Sequence, residues 1–69
     1  MRSISGKDLA RILERNGWTL RRVHGSHHIY GKPGTPVRLS VPVLGNSALK
    51  VGLLKYLVKR AGLTEADLD

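Results

Sequence analysis

The chain reads as a small α+β domain with the order helix, three strands, helix. Three observations lead there: an apolar stripe at helical spacing toward each end, alternating or β-branched runs between them, and turn residues at the junctions. Its 69 residues form one domain, because neither an internal repeat nor a long linker divides residues 1–69. A core this small leaves little net stability, so a bound partner would help to hold it.

The first helix opens at Ser5, whose side chain can cap the free amides, with Asp8 favourably placed in the first turn. Leu9, Ile12 and Leu13 share one stripe, Lys7, Arg11, Glu14 and Arg15 lie mostly on the other side, and Gly17 supplies a left-handed stop. Residues 18–23, 27–30 and 37–43 are rich in β-branched and aromatic side chains, and His24-Gly25-Ser26 and Lys32-Pro33-Gly34-Thr35-Pro36 separate them. They predict a three-stranded antiparallel meander. In the third run Val37, Leu39, Val41 and Val43 alternate with Arg38, Ser40 and Pro42, so one face is buried and the other meets water. Pro42 suits an edge or a strand end, since it cannot donate to a ladder.

After Gly45-Asn46-Ser47 helical spacing returns, with Leu53, Leu54, Leu57, Val58 and Ala61 on one face and Lys55, Lys59 and Arg60 on another. Gly62 closes this helix, and Thr64 to Asp67 reads as a capped final turn short enough to fray. This order places two helices on one face of the sheet and leaves the opposite face for a ligand. The arrangement resembles that of the double-stranded RNA-binding domain.

Lys and Arg number 12 against 5 Asp and Glu, a formal charge of +7 that favours polyanions, RNA or DNA first among them. The absence of cysteine excludes a disulfide framework and thiolate zinc sites. No stretch approaches a membrane span, and the N-terminal residues lack the apolar run of a secretory signal, so the expected location is the cytoplasm.

Chemistry concentrates in Gly25-Ser26-His27-His28-Ile29-Tyr30. Metal-free cleavage of RNA needs a base to take the 2′-hydroxyl proton and an acid to protonate the leaving oxygen, and histidine serves either role near neutrality. His24, His27 and His28 are the candidates, with Arg21, Arg22, Lys32 and Arg38 available to clamp phosphate and Ser26 able to donate a hydrogen bond to it. Adjacent residues of a strand point to opposite faces, so His27 and His28 cannot both face one substrate. If Ile29 is the core residue His27 turns inward; if Tyr30 is, the assignment reverses.

Other readings of the same residues compete. A histidine is more commonly a surface or packing residue than a catalyst, and Gly25-Ser26 is ordinary hairpin chemistry. The three histidines are a thin basis for a metal site, because no cysteine exists and the acids lie far along the chain, so no metal or other cofactor is expected. Trp18 and Tyr30 can stack bases, yet without phenylalanine they are also the large residues available for a core. Lys50, Lys55, Lys59 and Arg60 fit a solvated helix face as well as a phosphate-binding one.

The segments Asn16-Gly17-Trp18, Gly25-Ser26-His27-His28-Ile29-Tyr30, Val41-Pro42-Val43, Leu49-Lys50-Val51-Gly52-Leu53-Leu54-Lys55 and Ala61-Gly62-Leu63, in this order and spacing, resemble the HicA (YcfA-like) toxin family. That resemblance covers nearly the whole chain. It implies a type II toxin with a double-stranded RNA-binding-like α-β-β-β-α fold, an endoribonuclease that cleaves mRNA and stops translation until a HicB-like antitoxin blocks it. The family's catalytic histidine follows Gly-Ser and maps onto His27, with His28 as second choice. The motif aromatic then falls at Tyr30, which would pack inward. Many relatives carry a histidine shortly after the Val-Pro of the third strand, where this chain has Leu44, and their usual Gly-Thr-Leu becomes Gly52-Leu53-Leu54. Two further functions fit the basic charge: an RNA-binding module without catalysis, and a domain whose basic face docks an acidic protein such as the antitoxin.

Overall fold

A computed structural model describes residues 2–69. The elements are α1 (Gly6–Arg15), β1 (Thr19–His24), β2 (His27–Lys32), β3 (Thr35–Pro42), α2 (Val51–Arg60) and a terminal 3₁₀ turn, Glu65–Leu68. The three strands form one antiparallel sheet in the order β1-β2-β3. This is the α-β-β-β-α topology that the sequence predicts.

Local chemistry accounts for the boundaries. The Ser5 hydroxyl accepts the Asp8 N–H at 3.1 Å, and Gly17 takes φ 90° just past α1. Trp18 stays outside β1 because its N–H returns to the Leu13 carbonyl at 3.0 Å, which drops the indole into the core. The loop expected over residues 32–36 shrinks to Pro33-Gly34. Proline followed by a glycine at φ 86° is the pattern of a type II turn, and it lets Lys32 pair directly with Thr35. Pro36 then falls inside β3, where an edge strand tolerates it.

One face of the sheet is covered. Tyr30, Leu39 and Val41 meet Leu9, Ile12 and Leu13 of α1 and Leu54, Leu57 and Val58 of α2 in a single cluster, with Ile4, Trp18 and Leu68 completing it. A Cβ at Gly6 would collide with the Pro42 carbonyl, so a glycine at the start of α1 permits the helix to close on the end of β3. The terminal turn departs from expectation, because it is held and not left to fray. Thr64 and Asp67 exchange capping bonds, Arg2 donates to the Leu68 carbonyl at 2.6 Å, and Leu68 is buried. Burying a leucine contributes about 1.5–3 kcal/mol, which offsets part of the entropic cost of ordering the segment and adds to the capping bonds and the Arg2 contact. No helix among the described residues is long and apolar enough to cross a membrane.

Candidate nucleic-acid interface and histidine pair

The parity of β2 is set by Tyr30. Its ring is 1 % exposed beneath the helices, and its hydroxyl donates to Glu14 Oε2 on α1 at 3.0 Å. Burial, and then the bond to Glu14 and the charge of that carboxylate, push the phenol up to about 12. With Tyr30 inward, His28 shares its side, half-buried between its cross-strand partners Val23 and Val41. His27, Ile29 and Gly31 therefore point to the opposite, open face, and His27 is exposed.

His27 sits at the turn end of β2, opposite Pro42 on one side and His24 on the other. Residues directly opposite in an antiparallel pair project to the same face with Cβ atoms about 4.5–5.5 Å apart, so the imidazoles of His24 and His27 flank a common space. Gly25 at φ 62° makes the two-residue connection between them possible. The Ser26 carbonyl accepts the Val43 N–H at 2.7 Å, which ties this turn to the end of β3. On the other flank His27 Nδ1 lies 3.5 Å from the Ser40 hydroxyl.

In the sequence His24 is a candidate for acid–base chemistry that falls in the connection between strands, apart from His27, whereas in the structure it ends β1. The signal was present: two histidines bracketing Gly25-Ser26 occupy the facing positions of a two-residue hairpin.

Basic residues join this face unequally. Arg22 pairs with Ile29 and stands beside it, whereas Arg21 is the extra residue where the register shifts between Leu20 and Arg22. Arg21 and Arg38 both lie over Gly31. Lys32 goes elsewhere, at the far end of β2 from His27, with its ammonium 5.6 Å from the centre of the Trp18 ring. None of the three strands contains an acid, and the ion pairs Arg2–Asp69 and Arg11–Asp8 lie outside the sheet. The open face is thus positive and unneutralised by its own residues. Among the described residues no group of three or more His, Asp or Glu is placed to hold a metal ion.

The family model described as HicA toxin of bacterial toxin-antitoxin matches residues 6–63, from the first residue of α1 to just beyond α2. The chain belongs to the HicA toxin family. None of the curated proteins matches it. As a HicA member it is a toxin of a toxin–antitoxin system, which implies a cognate antitoxin, and the HicA match contains every residue of the open face described above. Beyond β3, where the HicA resemblance leads one to look for a second histidine, Leu44 is instead an exposed apolar side chain.

Proposed function

We propose that this HicA-family toxin is a metal-independent endoribonuclease that cleaves mRNA in the cytoplasm, with His27 as a general acid–base group on the open face of the sheet. The observation that carries this reading is the facing of His27 and His24 on a basic, acid-free surface. The 2′-oxygen attacks the neighbouring phosphorus while its proton passes to one imidazole. The bond from phosphorus to the 5′-oxygen breaks, and that oxygen takes a proton from the other imidazole, leaving a 2′,3′-cyclic phosphate and a 5′-hydroxyl. Because the nucleophile is part of the substrate, the protein has to supply only proton transfer and charge stabilisation. Arg22, beside Ile29, and Ser26, in the turn next to His27, are the groups suited to the scissile phosphate; Arg21 and Arg38 lie farther along the face, over Gly31, and Ser40 steadies the His27 ring from the side away from His24. The antitoxin partner is then a protein that denies RNA this face.

The test is cleavage of a defined RNA in EDTA by toxin freed of antitoxin. Wild type should cut, and His27→Ala should lose roughly 10²- to 10⁴-fold in rate, the usual contribution of one proton-transfer group. His24→Gln should lower the rate by a comparable factor. RNA left intact by the wild type, with binding that weakens as salt rises, would instead identify an RNA-binding module without catalysis.

A further inference from the structure

Gly31 lies on the open face of the sheet and is nevertheless buried, because two arginine side chains cover it. A Cβ placed on Gly31 would stand 2.7 Å from Arg21 Nε and 3.1 Å from Arg38 Cζ, so both guanidinium groups converge on one point above that glycine. We infer that Arg21 and Arg38, seated over Gly31, form a second phosphate-binding subsite that grips the RNA strand away from the bond being cut. This inference rests on the ribonuclease reading for the identity of the strand.

The register shift at Arg21 is the device that builds the subsite. Strict alternation after Leu20, which pairs with Tyr30 on the covered side, would send Arg22 inward; the extra residue lets Arg22 pair with Ile29 on the open face and leaves Arg21 free to lean over Gly31. Arg38 comes from the other side, in β3, braced by donation from Nη1 to the Val37 carbonyl at 3.1 Å. No ion pair engages either arginine among the described residues. Two unpaired guanidiniums side by side repel, and an anion with two free oxygens that accepts from both relieves the repulsion. A phosphodiester fits, since each arginine fork matches its non-bridging oxygens.

Position defines what the subsite does. Gly31 is four residues from His27 along β2, about 13 Å at roughly 3.3 Å per residue, which an extended strand crosses in about two nucleotide steps. The phosphate held there is a neighbour of the scissile one, so substrate length becomes a specificity term. A dinucleotide cannot reach the arginines, and a hexanucleotide can.

Gly31→Ala is a sharp probe. The three atoms nearest its Cβ all belong to arginine side chains, so the strand is expected to fold while both guanidiniums are displaced. We expect wild type to favour a hexanucleotide over a dinucleotide by at least tenfold in kcat/KM. Gly31→Ala and the double variant Arg21→Gln/Arg38→Gln should lose most of that preference through KM, with unchanged thermal unfolding. Equal losses on both substrates, or an unchanged preference, would overturn the inference. If the wild type cuts neither substrate, affinity for a 2′-deoxy hexanucleotide decides the matter independently of cleavage. Binding at least tenfold weaker in both variants supports the subsite, and equal binding overturns it.

Discussion

Leu39 and Ser40 are neighbours in β3, yet Leu39 is 1 % exposed beneath the helices while Ser40 stands on the open face, 3.5 Å from His27. The same contrast runs along β2, where Tyr30 is locked to Glu14 and His27 faces outward. One face is entirely a matter of packing: it holds Tyr30, Leu39 and Val41, and the described residues include no buried charged side chain. The other carries His24, His27, Arg21, Arg22, Arg38 and Ser40, with half-buried Ile29 and Pro42 and exposed Pro36 as its apolar residues. The difference shows how so small a chain positions a site: burial of the apolar set fixes which way each strand faces, and the polar set is oriented as a consequence.

The strongest way to break this comparison is to alter the two β3 neighbours separately. Leu39→Ala should cost about 2–5 kcal/mol through lost burial and a residual cavity, lowering Tm by about 10 °C or more in a domain of this size. Ser40→Ala should stay within about 0.5 kcal/mol of wild type. Thermal unfolding of the two variants measures both. Comparable destabilisation by Ser40→Ala would mean that the open face contributes to the fold and the division fails.

How much of this was legible follows from the same division. The alternation of Val37, Leu39, Val41 and Val43 shows the covered face directly, because a half-buried edge strand writes its burial in period two. Ser5, Asp8 and Gly17 mark both ends of α1, since caps depend on local backbone geometry alone. His28-Ile29-Tyr30 places candidate core residues at both parities, so the orientation of His27 depends on a tertiary contact, Tyr30 with Glu14, that periodicity cannot express. The register shift at Arg21 is equally silent, because a bulge adds one residue without a required residue type here. Lys32, grouped with the phosphate-binding candidates by charge, is drawn to the Trp18 ring, and charge counting contains no direction.

A smaller effect sharpens the covered face. Tyr30→Phe keeps the ring and removes its donation to Glu14, so it should cost about 1 kcal/mol near neutral pH. The phenol is raised from 10.0 in the unfolded chain to about 12 in the folded one, so its protonated form is favoured by folding. That contribution is fully present below pH 10 and is lost as pH rises toward about 12. The stability gap between wild type and Tyr30→Phe, followed by denaturant unfolding across this window, should close. A gap that persists would show that the hydroxyl does not titrate as a buried donor.

The smallest effect belongs to His28, and it bears hardest on the assignment of the site. His28 lies on the Tyr30 side of the sheet between Val23 and Val41, near the rim where Val23 remains 54 % exposed. To bring His28 to the open face, β2 would have to slip by one residue, which would expose Tyr30 and turn Ile29 inward in its place. Loss of a buried aromatic and of its bond to Glu14 makes that slip far more costly than any contact a single imidazole regains. His28→Ala should therefore change cleavage rate by only about twofold, while removing some packing at the rim. A rate loss as large as that of His27→Ala, with Tm unchanged, would place the chemistry on the face that the helices cover, and the separation of packing from chemistry would not hold.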